Sequence, residues 1–376
     1  MRLDEVLGQA FDLAIFDGAM TSDLKLPASA PLVNQLAICA FTLKDHTGST
    51  TVTSGLTQLT VSDGENTYVV DPIKDGYPFG EDVVYVAIKP VIAALEVTAT
   101  DGAVNYSKTL TSREYARNNG YNISLRMNAS VKYLVGRRHS NTVAFTETLA
   151  ENPTLITNDF SGSITSGYYA VIGDNVVING DIDLTGETRL ILCDGAKLTV
   201  NLKENEQFCT RNIYIYGQES GTGQLIVTRE TNSECEAIYC YSRLYIHGGN
   251  ISVTSSRGTT LYVHSSFTMY GGTLIAKNTN NDNCIFSNDD ITLYGGSIKA
   301  STDTDNYGAI EISGTLAVYG GQLLAKNPGG SAIKGKVKSG LEDILFYYTD
   351  TDGDWGSGIY FYQSTLSDGT HYAKAE

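Results

Sequence analysis

Tyr216, His247, Tyr270, Tyr294 and Tyr319 each stand just before a glycine, at steps of 31, 23, 24 and 25 residues. A second aromatic set, Tyr239, Tyr262 and Phe286, follows the same steps of 23 and 24. Rings repeated at such a period suit one chemistry, in which ring faces meet the apolar face of a sugar while the hydroxyls hydrogen-bond its polar edge. The same repetition has a plainer use, because rings stacked on one another stabilise a repeating fold whether or not anything binds. Hydrolysis of a glycosidic bond needs two carboxylates flanking it, one protonated and one ionised. Asp289-Asp290 offers two, but neighbours in a strand face apart, and the equivalent positions one repeat away are Ser265-Ser266 and Gly314-Thr315. A calcium-dependent lyase needs an acidic cluster beside a base. Lys277, Lys299 and Lys326 recur near the Asn-rich run 278–283 and read more simply as a solvated strand face. Close-set carboxylates supply the oxygens calcium takes, which makes Asp303, Asp305, Asp350, Asp352 and Asp354 the metal candidates, with calcium (Ca2+) the ion they would hold and no cofactor required. Asp350 opens like an EF-hand loop, yet its twelfth position is Phe361 rather than Glu. With five histidines, no Gly-x-Ser-x-Gly elbow and no phosphate-binding loop, nucleophilic hydrolysis and nucleotide chemistry lack their residues.

What positions these residues is a repeat. Leu244-Tyr-Ile-His-Gly-Gly249, Phe267-Thr-Met-Tyr-Gly-Gly272, Ile291-Thr-Leu-Tyr-Gly-Gly296 and Leu316-Ala-Val-Tyr-Gly-Gly321 share one pattern, and Ile213-Tyr-Ile-Tyr-Gly217 varies it. Each repeat holds two further short strands, so about 24 residues make one rung of a parallel β-helix. Alternation assigns the faces, since successive side chains of a strand point to opposite sides. The pairs Ile213/Ile215, Leu244/Ile246, Phe267/Met269, Ile291/Leu293 and Leu316/Val318 are predicted to stack inward from the first strand. Leu225/Val227, Ile251/Val253, Leu274/Ala276, Ile298/Ala300 and Leu323/Ala325 do so from the second. Ile238, Leu261, Ile285, Ile310 and Ile333 align in the third. The pattern predicts a right-handed coil of about seven rungs, with Leu190 to Val200 and Val176 to Leu184 as earlier turns and a cap from about Leu341. The two aromatic sets then form outward files, expected to face solvent. Assuming equal corner lengths, Cys209 and Cys240 fall at one inward position of adjacent rungs, as two stacked free thiols.

Residues 1–130 lack the glycine beat but show strands such as Thr67-Tyr-Val-Val70, Val83 to Ala87, Leu95 to Ala99 and Tyr121 to Leu125, with Asp-Gly turns at 63-64, 75-76 and 101-102. Short strands with regular turn signals predict a β-sandwich. Residues 131–158 read as a linker and N-terminal cap, with Arg137-Arg138 a solvated feature, and 159–376 as the β-helix. The expected class is all-β, in keeping with 38 Gly and 24 Tyr and only 18% charged residues. Lys plus Arg total 26 against 42 acidic residues, a net charge of −16 that disfavours nucleic acid, anionic membranes and acidic polymers as partners. No apolar run approaches the roughly 20 residues of a membrane helix, and none near Met1 reads as an export signal. Six cysteines without CxxC spacing read as reduced thiols within strands.

Val86-Ala-Ile-Lys-Pro90, Leu95-Glu-Val-Thr-Ala-Thr-Asp-Gly102, Tyr106-Ser-Lys-Thr-Leu110 and Gly120-Tyr-Asn-Ile-Ser-Leu-Arg-Met127 resemble the fimbrillin-like sandwich domains of anaerobic gut bacteria. Gly167 to Ile172, Leu190 to Leu198 and Ile213 to Gln218 resemble β-helix carbohydrate-binding proteins of the same secretomes. The resemblance implies export to the extracellular space or outer cell surface, although the family's usual lipoprotein cysteine is missing. The expected function is non-catalytic binding of a polysaccharide or other glycan. The alternatives are a structural adhesin or pilus-associated subunit that contacts other surface proteins, and a polysaccharide lyase or glycoside hydrolase.

Overall fold

A computed structural model describes residues 14–16, 32–70, 82–140, 142–161, 164–230, 234–280, 282–304, 306–339, 346–349, 363–365 and 372–375. The chain divides into two compact units, Met1–Val131 and Lys132–Glu376. About 60% of it is strand, as the composition implied.

In the first unit, Ala37–Lys44 lies between Gly120–Arg126, which runs parallel to it, and Val84–Ile88, which runs antiparallel. A second sheet orders Thr67–Val70, Gln58–Ser62, Glu96–Thr100, Asn105–Thr109 and the start of Asn128–His139, all antiparallel. Each sheet buries one face through strict alternation: Cys39, Phe41 and Leu43 with Val84, Val86 and Ile88 in the first, Leu59, Val61 and Val97 in the second. The region is built of sheets, as its short strands and turn signals predicted. Two of the three Asp-Gly turns close its hairpins, with Gly64 and Gly102 at φ +94° and +97°, while Asp63 and Asp101 accept backbone N–H groups of the turn. The third, Asp75-Gly76, lies outside the described residues.

The second unit is a parallel β-solenoid of about seven turns over residues 167–338. All three inward stacks hold. Ile213 pairs with Leu244, Leu244 with Phe267, Phe267 with Ile291 and Ile291 with Leu316. Leu225, Ile251, Leu274, Ile298 and Leu323 line up likewise, as do Ile238, Leu261, Ile285, Ile310 and Ile333. Every one is buried, each worth roughly 1.5–3 kcal/mol of transfer from water. Inward amides at the corners are satisfied: Asn278 Nδ2 donates to the Gly258 carbonyl (2.8 Å) and Asn327 Nδ2 to that of Tyr307 (2.7 Å). Arg229, fully buried, makes no side-chain hydrogen bond among the described residues. At the far end Tyr372–Ala375 and Gln363–Thr365 pair antiparallel with the last strands of the coil, while most of the stretch read as a cap lies outside the described residues.

Two expectations change. The corner between Phe208 and Ile213 is one residue shorter than that between Ile238 and Leu244, so the register puts Thr210, not Cys209, opposite Cys240, and Cys209 opposite Tyr239. One residue of slip exchanges the two faces of a strand, and the stacked thiols disappear. The stretch read as a linker is strand: Asn128–His139 and Thr142–Glu151 form a hairpin, with the boundary between the two units inside its first strand.

Candidate functional site

The first aromatic file is continuous. Tyr216 stacks on His247 and His247 on Tyr270, both at 4.8 Å between ring centroids, then Tyr270 on Tyr294 at 5.3 Å, while Tyr319 packs on Tyr294 at 5.1 Å with its ring tilted by 32°. The glycine beat keeps the rings in step. The second glycine of each pair has φ between +83° and +87°, a conformation other residues adopt at a cost. A Cβ on Gly272 would also lie 2.5 Å from the Gly249 carbonyl oxygen, so the chain turns tightly after every ring and enters the second strand at a fixed place.

This file does not face solvent along its length as expected. The hairpin strand Asn128–His139 crosses it: Tyr133 packs on Tyr216 at 4.6 Å, and the Gly136 N–H donates to His247 Nδ1 at 3.1 Å. The Arg138 guanidinium lies 4.0 Å from the Tyr319 ring centre and 5.3 Å from that of Tyr294. Gln218 Nε2 ties the Lys132 carbonyl to the coil (2.8 Å). Tyr216 is 5% exposed and His247 7%, while Tyr270, Tyr294 and Tyr319 are half-buried. Burial pushes the His247 imidazole down to about 4 and the Tyr216 phenol up to about 12. With ring faces stacked on each other and edges under the hairpin, the file offers a sugar no free ring face at this end.

The second file is more open. Tyr239 stacks on Tyr262 (4.9 Å, 13°) and Tyr262 on Phe286 (5.0 Å, 19°), all half-buried. Sequence reasoning missed what stands beside it. Ile238–Ile246 is one continuous strand rather than two, so Tyr239, Tyr241, Arg243 and Tyr245 project outward in succession. Tyr241 is 57% exposed, and its ring stands at 74° across that of Tyr239, 4.5 Å away. The series of alternate Tyr and Arg was visible in the sequence but was cut at an assumed corner. Two rungs further on, Asn288 Nδ2 donates to Tyr262 Oη (3.1 Å) and meets His264 Nδ1 at 3.0 Å. An amide nitrogen only donates, so Nδ1 accepts and the His264 proton sits on Nε2. Tyr214 and Tyr245 form a third outward stack (4.8 Å, 9°), extended by Arg189 over Tyr214.

The acid–base candidates are occupied with structure. Asp289 Oδ2 accepts from Ser265 Oγ (3.0 Å) and Asp290 Oδ1 from the Thr315 N–H (2.8 Å), each bridging to a neighbouring rung. Burial raises the pKa of Asp282, which accepts from Thr259 Oγ1 and the Asn283 N–H; Glu234, whose charge it feels, is ion-paired with Arg257. Lys277 and Lys299 are exposed and Lys326 half-buried. Asp303 is exposed, and Asp305, Asp350, Asp352 and Asp354 lie outside the described residues. Among the described residues no three His, Cys, Asp or Glu side chains group as metal ligands, and no helix is long and apolar enough to cross a membrane. No protein family matches the chain, and no curated protein or solved structure matches it at a significant level.

Proposed function

We propose that this chain binds carbohydrate without turning it over, and that the glycan lies along the solenoid over Tyr241, His264 and Asn288, backed by the Tyr239–Tyr262–Phe286 stack. The observation that carries the reading is Tyr241: exposed, and set edge-to-face on the ladder, so its ring is not one of the ladder's stacked layers. Beside it the Asn288 bridge leaves His264 Nε2–H and the Tyr262 hydroxyl proton as donors and Asn288 Oδ1 as acceptor, a mixed set suited to sugar hydroxyls. Rungs about 4.8 Å apart advance by roughly one sugar of an extended chain. The likeness of the first unit to fimbrillin-like domains supports display on the outer surface of a bacterium. The test is a glycan array on the full chain, followed by Tyr241→Ala: binding without product is expected, with at least about a tenfold loss in the variant and an unchanged melting temperature, since exposed substitutions stay within about 0.5 kcal/mol. Product release, or binding indifferent to Tyr241, would reject it. The structural-subunit reading is favoured by one observation, the self-stacked first file under its hairpin, and expects no glycan bound at all.

A further inference from the structure

Resting on that carbohydrate reading, the structure points to the kind of sugar. Arg243 is exposed and projects outward on the same strand between Tyr241 and Tyr245. Arg211 is exposed in the short corner of the preceding rung, where the register slips between Thr210 and Asn212, so it stands beside the Tyr241–Arg243 segment. Neither guanidinium makes an ion pair or a hydrogen bond among the described residues. Three other arginines of this unit are engaged: Arg189 with Glu187, Arg257 with Glu234, and Arg138 over Tyr319. Glu236, at the start of the same turn, is held by Gln207 Nε2. Along the axis the strip therefore runs from two unpaired cations around Tyr241, through His264 and Asn288, to Asp289 and to Glu311, which follows Phe286 in register.

We infer that Arg211 and Arg243 form an anion subsite at one end of the strip, which takes the carboxylate or sulfate of an acidic sugar within an otherwise neutral glycan. A guanidinium presents paired N–H donors that match either oxyanion, and Tyr241, two residues from Arg243 on the same strand and opposite the Arg211 corner in register, offers the ring for the sugar that carries it. The net charge of −16 and the acidic far end count against a densely charged polymer. An isolated acidic residue is different, because at contact the two arginines act well inside the Debye length of about 8 Å.

The test compares three matched oligosaccharides, one neutral, one carrying a single uronate and one a single sulfate ester, on the full chain and on Arg211→Gln/Arg243→Gln. For the wild type, at least one acidic member is expected to bind about tenfold tighter than the neutral one at low salt, with the advantage shrinking as added salt shortens the screening length. Whichever acidic member is preferred names the source of the anion. The double variant should lose the advantage, keep its affinity for the neutral oligosaccharide and melt as the wild type does. Equal binding of neutral and acidic members, or an advantage that survives in the double variant, overturns the anion subsite and leaves the carbohydrate reading standing. Failure of all three to bind, alongside a blank glycan array, removes both.

Discussion

His247 shows how a single position can be read correctly for direction and wrongly for surroundings. It stands in the outward file, between Tyr216 and Tyr270, yet the Gly136 backbone covers it. Its imidazole titrates at about 4 instead of 6.5 because burial disfavours the charged form. The unfolded chain therefore binds the extra proton first as pH falls, and the stability carried by neutral His247 is fully present above about pH 6.5 and is lost as pH drops to about 4. The loss is on the order of 3 kcal/mol. His247→Phe keeps a ring in the stack and removes the titration, so its melting temperature should fall less between pH 7 and pH 4 than that of the wild type. Identical profiles would show that the hairpin does not bury this ring. Tyr241 presents the opposite case, a residue hidden in the sequence among 24 tyrosines and distinguished by its exposure and its edge-to-face setting on Tyr239.

At the scale of elements, the hairpin and the first file explain each other. An outward column of rings on a solenoid is a long apolar strip, and Tyr133, Gly136 and Arg138 meet it in turn along the strand that crosses it. The sequence there is weakly patterned, and Arg137-Arg138 suggested a solvated linker; in the folded chain the Arg138 guanidinium lies over the Tyr319 ring, 4.0 Å from its centre. The consequence is a reversal of roles for Tyr270 and Tyr294. Tyr270→Ala/Tyr294→Ala should lower stability by roughly 0.5–1.5 kcal/mol for each ring contact broken while leaving glycan affinity at the Tyr241 strip unchanged. A variant that melts normally and loses glycan binding would return the site to the first file.

For the whole second unit, stability rests on three inward stacks that share one register, so damage to one position is felt by its neighbours above and below. Ile285 sits between Leu261 and Ile310 and is fully buried. Ile285→Asp would place an unpaired carboxylate there, at a cost of several kcal/mol. Chemical denaturation should show the transition of the solenoid shifted far downward, and a wild-type midpoint would refute the register.

The inward stacks and the direction of every outward file were determined by the sequence alone, because side-chain direction in a strand is a local matter of alternation and the 23-to-25-residue beat aligns one rung with the next. The Cys209 register failed for an equally local reason, a corner one residue short that no periodicity reveals. Exposure is different in kind. Whether an outward ring meets water or protein depends on what else the chain lays over it, and Gly136, which covers His247, is 111 residues away in sequence. Contacts at that separation leave no periodic mark on either partner, so only the tertiary structure could close the first file and leave Tyr241, with Arg211 and Arg243 beside it, open to a ligand.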